Sequence, residues 1–448
     1  MERFRRLGGP RAGSAVRSTC AALSLLVMAA CGAPEEVLLG DRETFGRDAS
    51  RASVASANTL QPISLPTPEA NASWTHPGGN RLHRLPNAEF NTSAALQWAA
   101  DIGAGDGRRQ RISATPVVAE GRVFTVDSEG RVSATSTAGA PLWRRGIIPP
   151  GESAGQGGSA GLAFGGGALY VNSGFGEVIA IDPATGGELW TQDIDALAGA
   201  SATYFDGRLY VAARDSVGWA IDTETGRIDW QISGTPSASG YLGGAGPAVT
   251  DDLAIFPFIS GELVATFRRG GVQRWTATVL GARSGVAYSG ISDISADPVV
   301  AGSNLFVANP AGRLAAISLG NGERLWTAQE GALTTPVVVG GSVFFVSDQN
   351  ELLRLDAQTG ARIWGVALPL FEERRVRRQK TVFAHFGPVL AGGRLWLASS
   401  DGELRAFDPV SGAQTFSTAI PSGAATAPIV AGGTLYVVSK RGTLLAYR

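Results

Sequence analysis

Gly157-Gly158-Ser159-Ala160-Gly161 has the Gly-x-Ser-x-Gly spacing of a nucleophile elbow, in which a sharp strand-to-helix turn presents a serine to a histidine further along the chain. Here the match lies in a Gly-rich stretch with no helical pattern behind it, and His385 is the only downstream histidine. It reads as chance. The run from Gly155 to Gly167 has the glycine density of a phosphate cradle, but no βαβ unit follows it. His76, His83 and His385 are the whole imidazole complement. They lack carboxylates at ligand spacing, so no metal site is expected, and His76 and His83 read as surface residues near an N-terminal tether. The densest charge is Glu372-Glu-Arg-Arg-Val-Arg-Arg-Gln-Lys380, five basic residues among nine. It reads first as a solvated loop and second as a contact for a partner or for anionic lipid. No catalytic residue is assigned.

The two cysteines, Cys20 and Cys31, have a different chemistry. Arg3, Arg5, Arg6, Arg11 and Arg17 precede an apolar run, Ala21 to Ala30, that is too short to span a bilayer. Residues 1–30 therefore read as an export signal. The run ends in Met28-Ala29-Ala30-Cys31-Gly32, which resembles a bacterial lipobox. The resemblance implies cleavage before Cys31 and acylation of its thiol, and Gly32 after the cysteine resembles cargo sorted to the outer membrane. Cys20 leaves with the signal, so the mature chain has no thiol for a disulfide, a zinc site or haem attachment. Removing residues 1–30 turns 38 basic and 39 acidic residues into 33 and 38, a net charge of −5. Nucleic-acid binding rests on phosphate neutralisation by basic surfaces and is not expected.

The elements that hold these residues are short strands. Gly accounts for 60 of 448 residues, and glycine without a collagen period points to many tight turns. From about Ala94 the chain repeats. Ala180-Ile-Asp182-Pro-Ala-Thr-Gly186-Gly-Glu-Leu-Trp190 returns as Ala220-Ile-Asp222-Thr-Glu-Thr-Gly226-Arg-Ile-Asp-Trp230, and again at Asp356 to Trp364 and Asp408 to Phe416. Each unit has room for four short strands and none for a crossover helix. The unit ends on Trp98, Trp143, Trp190, Trp230, Trp275, Trp326, Trp364 and Phe416, spaced 38 to 52 residues apart. That period predicts an all-β, eight-bladed propeller of four-stranded antiparallel blades over residues 94–448. The segment after Ala427 supplies three strands only, and Ala95-Leu-Gln-Trp98 supplies the fourth, so the last blade is expected to be closed by both chain ends. Residues 31–93 read as a lipidated tether and lead-in segment.

The Ala-Ile-Asp-x-x-Thr-Gly-x-x-x-Trp unit resembles quinoprotein-type repeats. Together with the lipobox, a single ring and Trp74-Thr-His-Pro-Gly-Gly-Asn80, it is similar to the BamB family of outer-membrane assembly lipoproteins, in a form with a long N-terminal tether. The resemblance implies a scaffold without enzyme activity or cofactor. It implies lipid anchoring to the periplasmic face of the outer membrane, with BamA and other BAM subunits as partners and nascent outer-membrane proteins as clients. It also implies partner contact through two loops. One, Ser239-Gly-Tyr241-Leu242-Gly-Gly244, lacks the arginine of the family loop; the other, Ser292-Asp293-Ile-Ser295, keeps the first family aspartate and has Ser295 in place of the second. Two other readings share the repeat. One is an envelope propeller binding a small ligand in its channel. The other is a quinoprotein dehydrogenase, which a chain without a vicinal disulfide fits poorly.

Overall fold

The computed structural model describes residues 58–448, apart from 85–86, 109, 155–159, 198–199, 241–242, 282 and 284–290. Cys31, Tyr241, Leu242 and Ser159 lie outside the described residues.

Eight four-stranded antiparallel sheets follow one another around a ring, each a simple meander. Blades 1 to 7 occupy residues 117–146, 161–193, 203–233, 248–278, 299–328, 337–367 and 385–419. Blade 8 takes three strands from residues 429–447 and its outermost strand from Leu96–Asp101, which pairs antiparallel with Thr443–Tyr447. Ala95 and Arg448 exchange backbone hydrogen bonds of 2.8 and 2.9 Å, locking the two ends of the chain together. The fold is the predicted eight-bladed propeller. Among the described residues no helix is long and apolar enough to cross a membrane.

Local chemistry explains each turn. Where the third strand passes to the fourth, Asp182 Oδ1 accepts from the Ala184 N–H at 2.7 Å, and Gly186 takes φ +75°. That is an Asx turn followed by a left-handed residue. A Cβ on Gly186 would lie 2.7 Å from the ring of Trp143 in the preceding blade. Trp98, Trp190, Trp230, Trp275, Trp326 and Trp364 sit in the same way against Gly139, Gly226, Gly271, Gly322, Gly360 and Gly412. Five of the tryptophans also donate to a carbonyl of that next turn, as Trp143 Nε1 does to Pro183 O at 2.9 Å. Each joint therefore packs an indole face on a glycine, and five of them also satisfy the indole N–H. Phe416 meets no such glycine, because the matching turn of blade 8 is replaced by the chain ends; it packs on Trp396 instead.

The fourth strands alternate exposed and inward residues, whereas the inner three are almost wholly buried. Blade 6 differs. Asn58 and Thr59 bond to Gly365 and Ile363 along its outer edge, and Arg354, itself buried, donates to the Gln61 carbonyl at 2.7 Å.

From there the lead-in segment crosses one mouth of the ring and touches every blade. In each innermost strand one residue occupies the same register position, with its free backbone edge toward the axis: Val118, Phe164, Tyr204, Val249, Val300, Val338, Leu390 and Val430. Trp74 O, Thr75 O, His76 Nε2, Arg81 O and Leu82 O accept the N–H groups of the first five. Arg84 Nε, Ala88 N and Asn71 Nδ2 donate to the carbonyls of the last three. Unpaired backbone groups are costly where water is excluded, and this one strap supplies a partner to all eight.

This corrects the expectation that His76 and His83 lie at the surface. They are only 4% and 2% exposed, because the lead-in segment is folded into the ring's mouth and uses them as hydrogen-bonding groups.

Candidate functional site

Strands alternate in direction, so the ring has two chemically distinct mouths. The turns from first to second and from third to fourth strand surround the strapped mouth. The turns from second to third strand, and all connections between blades, surround the other. Residues 239–244, 292–297 and 368–384 are all connections between blades, and the fold gathers them at that open mouth.

Asp293 lies in the connection between blades 4 and 5. Its side chain is 1% exposed, and Oδ2 accepts from Arg214 Nη2 at 2.9 Å. Arg214 belongs to a turn of blade 3, 79 residues earlier. A Cβ on Gly240 would lie 2.1 Å from Arg214 Nη2 and 2.9 Å from Asp293 Oδ2, and one on Gly244 would lie 2.9 Å from Arg214 Nη1. The guanidinium thus runs directly beneath the Gly240–Gly244 loop, and Asp293 holds it there. Arg214 is paired with the connection that carries Asp293 and lies close to Gly240 and Gly244 of the neighbouring connection. Sequence reasoning missed Arg214. Its only signal was the absence of an arginine in residues 239–244, which gives no hint of where a substitute would come from.

Ser295 is half-buried, and its hydroxyl donates to the Ala332 carbonyl at a long 3.5 Å. It lines a cavity of about 590 Å³ that opens at this mouth, beside Leu333, Thr334, Val382 and Phe383. Deeper in, Asp297 accepts from the Gly246 N–H at 2.7 Å and from Thr335 Oγ1 at 2.6 Å, tying the blade 4, 5 and 6 strands together at the channel wall. A pocket of about 150 Å³ continues to a floor made by Trp74, Gly78, His83 and Arg84 of the strap. The strap thus blocks the channel at its far end.

The three histidines are all committed. His76 Nε2 accepts the Tyr204 N–H, and Nδ1 faces Thr75 Oγ1 at 2.8 Å. Burial, helped by His83 and Arg81 nearby, pushes the His76 pKa down to about 3. His83 Nδ1 meets the Pro298 carbonyl at 2.9 Å, so that nitrogen must carry the proton. His385 lies between Ser399 Oγ at 2.6 Å and the Pro369 carbonyl at 2.8 Å, and burial lowers its pKa. Among the described residues no group of three or more His, Cys, Asp or Glu approaches a metal-ligand set.

The basic stretch forms an ordered arm between blades 6 and 7. Phe371 and Val382 pair antiparallel, Phe383 N–H bonds Leu370 O at 2.9 Å, and residues Val376–Arg378 make one 3-10 turn at the tip. Arg374, Arg375, Arg377, Arg378 and Lys380 are all exposed.

Comparison with known proteins fits this architecture. The profile of the family described as outer membrane protein assembly factor BamB matches residues 128–366 and 374–448. The chain is 24% identical over 254 residues to outer membrane protein assembly factor BamB of Yersinia pestis, a match covering 56% of this chain and 64% of that one. The chain thus spans somewhat under two thirds of the curated relative. Among solved structures, BamB from Moraxella catarrhalis superposes with a TM-score of 0.65 at 17% identity, over 80% of this chain and all of that one. Quinohemoprotein alcohol dehydrogenase from Comamonas testosteroni gives 0.62 at 15% identity, over 84% and 80%. Both likenesses concern the fold.

Proposed function

The chain belongs to the family of the outer membrane protein assembly factor BamB, and from that premise we propose that it is a non-enzymatic scaffold subunit of the outer-membrane β-barrel assembly complex. In this reading Cys31 carries the lipid that anchors the mature chain to the periplasmic face of the outer membrane. The ring presents its open mouth to the periplasmic domains of BamA and aids the folding and insertion of outer-membrane proteins. The observation that carries the reading is the coupling of two connections through Arg214 and Asp293. It ties a turn of blade 3 to the connection between blades 4 and 5, close under Gly240 and Gly244, and loops held by such pairs lose less conformational entropy on docking. Tyr241 and Leu242 are the proposed apolar contacts. Asp293, being buried, is proposed as the residue that positions them, and Ser295 as a rim contact.

Co-purification from envelopes in mild detergent tests this. BamA should accompany the parent chain and be lost from a Tyr241→Ala/Leu242→Ala variant. Absence of BamA from the parent preparation would overturn the reading.

A second reading rests on the cavity of about 590 Å³ with Asp297 and Thr335 on its wall, a mostly apolar hollow with a few polar groups and of a size that takes small ligands. Thermal-shift screening with sugars, calcium and PQQ discriminates: a saturable rise in melting temperature favours a ligand-binding propeller, and turnover on loading with quinone would favour a dehydrogenase.

A further inference from the structure

The arm between blades 6 and 7 has more positive charge than its own protein uses. Arg374, Arg375, Arg377, Arg378 and Lys380 are exposed, and among the described residues none of their side chains has an ion pair or hydrogen bond. Only Glu372 and Glu373 oppose them locally, on a mature chain that is acidic overall. By contrast, three other arginines at this mouth are spoken for: Arg283 by Asp348 and Glu330, Arg405 by Asp401 and Glu403, and Arg214 by Asp293. A cationic tip on an anionic body orients the molecule toward negative surfaces.

Two further features select among such surfaces. The stem exposes Leu370, Phe371 and Val382, with the last 54% accessible. Basic residues next to exposed aromatic and aliphatic side chains match the boundary of a lipid headgroup layer, where the charge stays in the headgroups and the apolar groups enter below. The second feature is the course of the chain. Thr59 lies beside Ile363 and Asn58 beside Gly365 on the outer strand of blade 6, Arg362–Ala367. Asn58, the first described residue, thus lies beside the strand from which the arm departs. Only 26 residues separate Asn58 from Cys31.

We propose that the arm of residues 370–383 docks onto an anionic lipid surface, Arg374, Arg375, Arg377, Arg378 and Lys380 meeting phosphate headgroups and Phe371 the acyl boundary. It would act as a second membrane contact beside the N-terminal lipid, which by itself holds a chain at one point and leaves orientation free. With both contacts, the blade 6–7 edge of the ring faces the membrane. The proposal rests on the membrane-anchored reading above.

The test uses the mature chain, residues 31–448, carrying Cys31→Ser, so that neither an acyl group nor the arginines and apolar run of the signal contributes, in sedimentation with vesicles. Binding to phosphatidylglycerol–phosphatidylcholine vesicles at about 50 mM salt is expected, with little binding to phosphatidylcholine alone and loss at about 500 mM salt, where charge is screened within a few ångströms. Charge reversal at Arg374, Arg375, Arg377 and Arg378 to Glu should weaken binding at least tenfold, and Phe371→Ser should weaken it less, with unchanged melting temperatures. Equal binding to neutral vesicles, no binding at low salt, or full binding by the reversed variant would overturn the proposal. So would a variant that binds vesicles normally but loses an acidic protein from envelope extracts. Retention of BamA by the reversed variant separates this proposal from the docking-face reading, which it leaves standing.

Discussion

Arg214 and Asp293, contributed by blade 3 and by the connection between blades 4 and 5, meet at 2.9 Å beneath Gly240 and Gly244. The carboxylate is 1% exposed and the guanidinium side chain 19%. The pair sits where a turn of blade 3 meets the connection between blades 4 and 5, and the carboxylate is too enclosed for solvent to substitute for the cation.

Removing the acid therefore has a defined cost. Asp293→Ala leaves Arg214 desolvated without its counter-charge, and breaking one partner of a buried pair costs about 3–5 kcal/mol, less here because Arg214 keeps some solvent. A loss of about 2 kcal/mol in urea unfolding is expected, and BamA capture should fall with it. The double variant Asp293→Ala/Arg214→Met should recover stability without recovering capture. If the double variant captures normally, the pair is only structural.

The indole–glycine joints can be separated from backbone strain. Gly167 and Gly186 have nearly equal φ, +79° and +75°, but a Cβ on Gly167 meets nothing within 4 Å, whereas one on Gly186 strikes Trp143 at 2.7 Å. Gly167→Ala should cost about 1 kcal/mol from the left-handed conformation alone. Gly186→Ala adds overpacking of about 1–3 kcal/mol. Equal melting temperatures for the two variants would refute the joint.

Acid should loosen the strap. His76 accepts the Tyr204 N–H only when neutral, and its folded pKa lies near 3, below the ordinary histidine value of 6.5. Between those two pH values the unfolded chain binds the proton that the folded one refuses. Folding stability is therefore full above about 6.5 and declines as pH falls toward 3. His385, also lowered by burial, adds to the same slope. Melting temperatures from pH 7 to 5, above the range where most carboxylates titrate, should fall for the parent and fall less for His76→Gln. A flat parent profile would contradict this account.

Acylation of Cys31 predicts a partition. The parent chain should appear in the outer-membrane fraction with a mass increment matching lipid at its N-terminus. Cys31→Ser, exported behind a signal whose cleavage does not need the cysteine, should be released to the soluble fraction by a high-salt wash, since a single reversible surface contact is weaker than an acyl anchor plus a second contact. Recovery of both chains in the membrane fraction after a high-salt wash would exclude the lipid as the main tether.

Much of the ring was legible before folding. Trp143, Trp190, Trp230, Trp275, Trp326 and Trp364 each recur four residues after a Gly, with an Asp further upstream at 182, 222 and 356, because blade after blade solves the same joint with an indole on a glycine, and repetition in space writes itself as repetition in sequence. The shortfall of one strand after Ala427, matched by Trp98 at the front, also disclosed the shared blade. His76 and His83 were misplaced for the opposite reason. The lead-in segment is used once, and a polar residue near a Pro- and Gly-containing stretch has the look of solvent-facing chain.

The sequence alone thus determined the number of blades, the strand count in each and the closure by both termini, because side-chain packing between blades is residue-specific and periodic. Only the tertiary structure decided that residues 71–84 and 87–88 strap one mouth. Most of that strap's bonds run through backbone N–H and C=O groups, which are the same in every residue and leave no mark in the letters. It also decided that Arg214 serves Asp293 from 79 positions away. A buried charge takes its partner from whatever the fold brings within about 3 Å, and distance along the chain has no part in that choice.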